Sequence, residues 1–289
     1  MGLIGLGSMG AAIGERLLVS GCALTVHNRT PEKAEPLRAR GAAVAGSASE
    51  LAASVDVVLT SLTDDAALEA VAAEVARTAR PGTVLVDLST VSPAASERVA
   101  GLAERASLLY LRAPVSGNPS VVRAGNLTFI VSGPQEALGR AEPILLAIGR
   151  ALHVVGDGEQ ARVVKLAINL VIAGLAELMA EALVLSEESG VSRAALLETM
   201  GDSAAGAPFV KYKTGPLLRD DYSATFTTRL MAKDVDLVLE EAAKHDLLLP
   251  LAEQIKARIR SAIDAGWGDE DFMALFPHLR DNSAQAVSP

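Results

Sequence analysis

The first half of the chain alternates short apolar runs with amphipathic segments, and this alternation constrains the fold more than any other feature. Such a pattern is expected where helices cover both faces of a parallel sheet. The predicted elements are strands at 3–5, 23–27, 57–61, 84–88, 108–113, 127–131 and 152–155, with helices at 11–18 and 134–146. The sequence therefore predicts a doubly wound α/β domain over residues 1–160, in which the last two strands form a late extension.

The strand signal stops after Gly158, and residues 161–188 form one long segment that is apolar on most sides. A helix of this length spans about 40 Å at ~1.5 Å per residue, enough to join two domains and to pack against another chain. Its longest uncharged stretch, 166–176, is about half of the ~20 residues needed to cross a bilayer, so we expect the helix to be buried in protein.

The remainder of the chain also lacks strand periodicity. Helices are predicted at 192–201, 228–245 and 250–265. The polar tail from Asp281 is predicted to be frayed. We therefore expect an all-helical domain over residues 161–289, joined to the first domain by the long helix.

Composition excludes several classes of protein. A chain of 289 residues that is 50% hydrophobic can bury the cores of two domains. The net charge is -9, and the 26 basic side chains form no cluster, which argues against a nucleic-acid surface. Cys22 is the single cysteine, so no internal disulfide is possible, and without a cationic leader a cytoplasmic location is expected. The four histidines show no paired helical spacing, so no metal site is predicted.

A glycine-rich motif, Gly5-Leu6-Gly7-Ser8-Met9-Gly10, follows the first predicted strand and opens the first predicted helix. In a dinucleotide-binding turn the first glycine permits the sharp bend, the second admits the pyrophosphate and the third allows close helix packing. The free N–H groups of the helix then face the phosphates. The motif predicts a Rossmann-type cofactor site; a purely structural turn or another adenosyl ligand are the alternatives.

The second predicted strand ends at His27, and Asn28-Arg29-Thr30 follow it. An NAD enzyme usually carries an acid here for the ribose hydroxyls, whereas Arg29 can pair with the 2′-phosphate of NADP. Asn28 and Thr30 can add hydrogen bonds. NADP(H) is therefore the preferred cofactor and NAD(H) a possible one, unless Arg29 is simply a solvated turn residue.

Several motifs in one order make the chain resemble the β-hydroxyacid dehydrogenases, which include 3-hydroxyisobutyrate dehydrogenase and the tartronate semialdehyde and succinic/glyoxylic semialdehyde reductases. They are GLGSMG at 5–10, DLSTVSP at 87–93, APVSGN at 113–118, AGNLTFIVSG at 124–133, KLAIN at 165–169 and Lys-Asp at 233–234. The resemblance runs from Gly5 to about Leu275. It implies hydride transfer between a nicotinamide cofactor and a short hydroxyacid or its semialdehyde.

The resemblance implies that Lys165 is the catalytic lysine. An ammonium can give a proton to the carbonyl oxygen as the hydride arrives, and can stabilise the developing alkoxide. Asn169 lies one helical turn later on the same face, where it would hold the same oxygen or orient the lysine. Outside the family, a Lys-x-x-x-Asn pair at a helix start is more often solvated.

The resemblance also assigns a substrate loop and further cofactor contacts. Ser116, Gly117 and Asn118 correspond to a loop that is usually Ser-Gly-Gly and receives the substrate carboxylate; a glycine turn without a ligand is the alternative. Asn118 in place of the second glycine, and Arg112 where many members carry an acid, leave the substrate undefined. The implied cofactor contacts are Leu62 at the ribose, Thr90 near the nicotinamide and Lys233 from the second domain, with Phe226 as a candidate to close the nicotinamide pocket.

Three other functions remain open at this point. An imine reductase on the same scaffold typically lacks a lysine at the catalytic position, so Lys165 counts against it. A catalytically silent binding module would not need Lys165, Asn169 and Ser116 together. A non-redox Rossmann protein such as a methyltransferase would not explain the second domain. The family usually forms homodimers or homotetramers through the helical domain, and no nucleic-acid or membrane partner is expected.

Overall fold

The computed structural model of the protein describes residues 1–287. The chain divides into two compact units, of which the first is Met1–Lys165 and the second begins at Leu166. The division therefore falls inside a helix and not in a loop.

The first unit contains a nine-stranded sheet. Its strands are β1 (Gly2–Ile4), β2 (Thr25–His27), β3 (Ala43–Val44), β4 (Val57–Thr60), β5 (Val84–Asp87), β6 (Leu109–Arg112), β7 (Val115–Ser116), β8 (Leu127–Ser132) and β9 (Gly149–Gly156). The order is β3-β2-β1-β4-β5-β6-β8-β7, with β9 also paired to β8. The first six strands of this order are parallel, whereas β8 is antiparallel to β6 and β7 and parallel to β9.

Helices cover both faces of this sheet. They are α1 (Ser8–Val19), α2 (Glu35–Arg38), α3 (Ala48–Ser54), α4 (Asp65–Thr78), α5 (Pro93–Arg105), α6 (Pro119–Arg123) and α7 (Gln135–Ile148), with a short 3-10 turn at Pro31–Ala34. Successive residues of β4 enter different cores, since Val58 packs in one hydrophobic cluster and Leu59 in another. This doubly wound α/β arrangement confirms the predicted fold class.

The second unit is helical. It contains most of α8 (Gln160–Glu188), then α9 (Arg193–Asp202), α10 (Pro208–Leu218), α11 (Thr228–Lys244), α12 (Pro250–Ala262) and α13 (Leu275–Val287), with short 3-10 or π turns at Ile263–Trp267 and Phe272–Ala274. In its core, α8 contributes five buried small or apolar side chains: Ala173, Ala176, Met179, Ala180 and Leu183. An all-helical second domain is therefore confirmed.

Several elements differ from the sequence-based expectation. The two-residue strands β3 and β7 were not predicted, because they are too short to show a period. Helices α6 and α10 were not predicted either, and each of them begins at a proline. The strand expected at 152–155 extends over Gly149–Gly156. The tail from Asp281, expected to be frayed, is helical as far as Val287, and its last two residues lie outside the described range.

Helix α8 leaves part of its apolar surface exposed, although it was expected to be buried. Val171, Leu178 and Leu185 are 61%, 59% and 69% exposed. In the part of the chain that the structure describes, α8 also has the length and apolar composition of a membrane-crossing helix, a test that core helices of soluble proteins pass as well. One side of α8 packs in the core of the second unit, and Val171, Leu178 and Leu185 lie on the opposite side.

Candidate active site

One row of residues marks the carboxyl edge of the parallel strands. The strand register aligns Ile4 with His27 and with Thr60, Thr60 with Asp87, and Asp87 with Arg112. A parallel sheet collects the loops that follow such a row at a single edge, which is where open α/β proteins bind ligands. Five segments predicted to carry the site follow this row: 5–10, 28–30, 61–62, 88–90 and 113–118.

Two glycines of the first loop are required by the packing of the loop itself. Gly5 has a φ of +94°, and a Cβ on Gly10 would lie 1.9 Å from the carbonyl oxygen of Gly5. Gly7 differs, because a Cβ there would have nothing within 4 Å. Protein packing therefore explains Gly5 and Gly10, whereas a small residue at Gly7 is needed only if something approaches from outside.

Helix α1 begins at Ser8, earlier than the predicted residue 11, so the last three residues of the glycine motif form its first turn. Gly7 is its N-cap and supplies no side-chain hydrogen bond. Gly7 and Ser8 are exposed, and Met9 is half-buried. Uncapped N–H groups beside an open glycine fit a pyrophosphate, since they supply donors and the positive end of the helix dipole.

The loop after β2 is held to the glycine motif by Asn28. Its Oδ1 accepts a hydrogen bond from the backbone N–H of Leu6 at 2.8 Å, and its Nδ2 donates to the carbonyl oxygen of Thr30 at 2.9 Å. Both the oxygen and the nitrogen of the Asn28 amide thus have a partner inside the chain. Arg29 and Thr30 are exposed at the same edge.

The loops after β4 and β5 are tied together by Ser89. Its hydroxyl accepts from the backbone N–H of Leu62 at 2.9 Å and donates to Oδ1 of Asp87 at 2.7 Å. The hydroxyl of Thr60 donates to the same carboxylate oxygen at 2.5 Å. These bonds hold the predicted cofactor contacts Leu62 and Thr90, both half-buried, in adjacent loops.

The first turn of α8 is anchored to this edge of the first unit. The hydroxyl of Ser132 accepts from the backbone N–H of Ala161 at 3.2 Å, and the guanidinium of Arg162 donates to the carbonyl oxygen of Ser89 at 2.8 Å. Lys165, half-buried, lies three residues after Arg162 on the helix. The turn that carries Lys165 is therefore hydrogen-bonded to the residue next to Thr90.

The predicted substrate loop has a constrained backbone. Ser116 lies on β7, paired with Thr128. Gly117 has a φ of +145°, and a Cβ there would meet Leu127 at 2.9 Å, so a side chain would be strained. Oδ1 of Asn118 caps α6 by accepting from the N–H groups of Ser120 and Val121. Because the oxygen of the Asn118 amide is used in this cap, the nitrogen of the same amide is the atom that can donate to a further partner.

Arg112, which departs from the family pattern, is buried beside an acid. Its Nε donates to Oε1 of Glu159 at 2.9 Å, and its guanidinium carbon lies 4.7 Å from the ring centre of Tyr110. Its charge is therefore balanced inside the first unit. Among residues 1–287, no group of three or more His, Cys, Asp or Glu side chains is placed to hold a metal ion.

The second unit contains the remaining predicted residues. Asn169 is buried, and its amide donates to Oδ2 of Asp234 on α11 at 2.5 Å. Lys233 also contacts Asp234, with 2.9 Å between Nζ and Oδ1. Phe226 precedes α11 and stacks edge-on against Phe272. Asn169 and Lys233 thus share one buried carboxylate.

Two functional candidates were missed from the sequence. Asp234 belongs to the Lys-Asp pair, but nothing local to it signals a contact with Asn169. Arg162 is an arginine in an apolar helix, and it is 1% exposed. A charge at a helix position that the apolar pattern assigns to the core was the one signal available.

The comparisons with known proteins agree with this architecture. Residues 1–156 match the model of the NAD binding domain of 6-phosphogluconate dehydrogenase. Residues 159–279 match a model described as the NAD-binding of NADP-dependent 3-hydroxyisobutyrate dehydrogenase. The two family models together cover nearly all of the chain.

Individual relatives match over nearly their full length. The NAD-dependent L-serine dehydrogenase of Pseudomonas aeruginosa is 32% identical, over 94% of this chain and 95% of the relative. The crystal structure of 3-hydroxyisobutyrate dehydrogenase from Salmonella typhimurium has a TM-score of 0.89 at 28% identity, over 96% and 98% of the two chains. The structure of Psf3 in complex with NADP+ and 2-OPP has a TM-score of 0.88 at 25% identity, over 96% and 99%. The chain therefore belongs to the β-hydroxyacid dehydrogenase family and is an oxidoreductase with a nicotinamide-cofactor domain.

Proposed function

We propose that the protein interconverts a short β-hydroxyacid and its semialdehyde or keto acid with NADP(H), and that Lys165 is the proton donor and acceptor. The observation that carries the proposal is the bond from Arg162 to the Ser89 carbonyl, which brings the first turn of α8 to the edge where the glycine loop lies. The cofactor, when bound, supplies or accepts the hydride. Lys165 gives a proton to the substrate oxygen in reduction and takes it back in oxidation.

The substrate carboxylate is proposed to bind at Ser116, Gly117 and Asn118. The Ser116 hydroxyl and the backbone N–H groups of this glycine turn supply donors for an anion. The amide nitrogen of Asn118 adds a further donor, since its oxygen is held by the cap of α6. Asn169 is proposed to orient the lysine from the next turn of α8. Arg112 is not needed for substrate charge, because Glu159 pairs with it.

A substrate screen tests this function. Purified protein is given NADPH or NADH with semialdehyde acids, keto acids and cyclic imines, and NADP+ or NAD+ with hydroxyacids, while cofactor absorbance is followed. We expect turnover with a short hydroxyacid pair. Turnover confined to imines would replace the proposal with an imine reductase. Tight NADPH binding without turnover of any compound would indicate a silent binding module.

The proposed preference for NADP(H) rests on Arg29, which is exposed beside the glycine loop. Psf3 was solved with NADP+, but the L-serine dehydrogenase relative is NAD-dependent, so relatives use both cofactors. Changing Arg29 to Gln removes the charge that pairs with the 2′-phosphate. We expect NADPH affinity to fall by about 10- to 100-fold, measured by fluorescence titration, with NADH affinity within about threefold.

Arg77→Gln provides the control, because Arg77 is also exposed on the first unit but lies on α4. It should leave both affinities unchanged. Equal binding of NADPH and NADH by the unaltered protein would contradict the preference.

An oligomer formed through α8 is also proposed. Val171, Leu178 and Leu185 recur every seven residues, so they lie on one face within about 20° per repeat. Exposed leucines on such a stripe are typical of a protein interface. Val171→Glu with Leu178→Glu is expected to convert the oligomer to a monomer in light scattering. Val19→Glu, at a side chain 72% exposed on α1, is the control. An unchanged mass for the double variant would place the interface elsewhere.

We also propose a cytoplasmic location, because Cys22 is the single cysteine of the chain.

A further inference from the structure

Arg162 is the largest of the fully buried side chains, and all of its guanidinium nitrogens are used. Nε donates to the hydroxyl of Ser96 at 3.1 Å, and Nη1 donates to the carbonyl oxygen of Ser89 at 2.8 Å. Nη2 donates to Oδ2 of Asp87 at 2.6 Å and to the hydroxyl of Tyr110 at 2.9 Å. One side chain therefore joins the start of α8 to β5, β6, α5 and the loop after β5.

The charge balance of this group is local. Burial acts against the charge of Arg162, but the neighbouring Tyr110 and Asp87 outweigh it and raise the pKa of the guanidinium. Burial also raises the pKa of the Tyr110 phenol, which therefore stays neutral. Asp87 is the anionic partner and is 0% exposed. A charged pair without solvent is costly to bury, and removing one partner is more costly still.

Apolar side chains of similar volume could fill this space at similar or lower cost, so core stability alone does not explain the pair. A planar guanidinium can donate in several fixed directions at once, which a lysine ammonium on a flexible chain cannot match. Arg162 makes four such bonds, one each to β5, β6, α5 and the loop after β5. Such an arrangement fixes geometry, since each bond restrains the same turn of helix.

The turn that is restrained is the one that carries Lys165. The two residues are three apart on α8, about 4.5 Å along the helix axis. The Ser89 carbonyl that accepts from Arg162 belongs to the residue before Thr90. The hydroxyl of the same serine accepts from the backbone N–H of Leu62. Movement of Arg162 would therefore shift Lys165 relative to both of these loops.

We infer that Arg162, held by Asp87, is a positioning residue for the reaction: it sets the place of the Lys165 amine relative to the loop that contains Thr90. This inference rests on the proposed role of Lys165. Because Arg162 is 1% exposed, we assign it a role through Lys165 and not through contact with substrate or cofactor. Its loss should slow the chemical step while leaving the cofactor loops able to bind, because Asn28 and the hydroxyl of Ser89 hold these loops through bonds that do not involve Arg162.

The test replaces Arg162 with Lys, which keeps the positive charge and loses the planar set of donors. At a temperature where the variant stays folded, kcat is expected to fall at least about tenfold, with the KM of the substrate and the Kd of NADPH within about threefold. A second readout needs no substrate: a short pulse of acetic anhydride followed by mass spectrometry gives the acetylation rate of Lys165 relative to that of Lys244, an exposed lysine of α11. This ratio should change at least about threefold.

Leu145→Ala is the matched control, because Leu145 is 0% exposed on α7 and has no part in this network. It should lower Tm but leave both kcat and the acetylation ratio unchanged. Ser96→Ala, which removes the acceptor of Nε and keeps the Arg162–Asp87 charge pair, should change kcat and the acetylation ratio in the same direction, and it replaces Arg162→Lys if that variant does not fold.

Three other outcomes would contradict either this inference or the proposed function. A lower Tm with kcat and the acetylation ratio unchanged would mean a merely structural arginine and overturn the inference. A lower kcat with an unchanged ratio would also overturn it, because the effect would not pass through Lys165. Absence of turnover by the unaltered protein with every compound would reject the proposed function separately, and the acetylation ratio would then decide the inference alone.

Discussion

Replacing Lys165 with alanine is expected to lower kcat by about 1,000-fold. The variant loses the group that is proposed to protonate the substrate oxygen and to balance the charge that develops there. The Kd of NADPH should stay within about threefold, because the cofactor loops are assembled by bonds that do not involve Lys165. Steady-state kinetics with NADPH absorbance and a fluorescence titration of NADPH measure the two quantities.

Lys244→Ala is the control for this prediction. Lys244 is at the exposed end of α11 and is paired with Glu241, so kcat should not change. A Lys165→Ala variant that binds NADPH weakly but turns over at the original rate would show that this lysine serves the cofactor and not the proton.

Gly7→Ala and Gly10→Ala are expected to fail in different ways. A Cβ on Gly10 would lie 1.9 Å from the carbonyl oxygen of Gly5, so the backbone must move, and unfolding should become easier by more than about 3 kcal/mol. A Cβ on Gly7 would have nothing within 4 Å, so the Tm of Gly7→Ala should fall by only a few degrees, the cost of alanine at a helix N-cap. NADPH affinity of Gly7→Ala should nevertheless fall by about 10- to 100-fold, because the methyl group would keep the pyrophosphate from the N–H groups of α1.

Thermal unfolding and NADPH titration of both variants separate these effects. Gly139→Ala is the control, since Gly139 also has open space around its Cβ position and lies on α7. Normal NADPH affinity in Gly7→Ala would show that no phosphate approaches this glycine, and the assignment of the cofactor loop would then be incorrect.

The central strands could be predicted well, because each of them is identified by the pattern of its own neighbouring residues. β4 and β5 were each predicted to within one residue, since buried valine and leucine runs end abruptly at polar loop residues. The glycine motif and the loops after these strands could likewise be predicted, because parallel strands place their carboxyl ends together. Elements of two residues, such as β3 and β7, carry no period and could not be predicted.

The contacts that assemble the candidate site could not be predicted from the sequence, because they join residues that are far apart along the chain. Arg162 meets Ser89 and Asp87, which precede it by 73 and 75 residues. Asn169 and Asp234 are 65 residues apart. No periodicity of one helix indicates which distant carboxylate it will meet, so neither the role of Arg162 nor the contact between Asp234 and Asn169 could be predicted from the sequence.

The unbroken course of α8 sets a limit on how this chain can vary in length. One residue inserted between Lys165 and Asn169 would rotate every later side chain of the helix by about 100° and advance it by ~1.5 Å. The amide of Asn169 would then turn away from the face of Lys165. Additions and deletions in homologues are therefore expected to occur in surface loops and not in this stretch, because each residue of the helix sets the direction of the side chains that follow it.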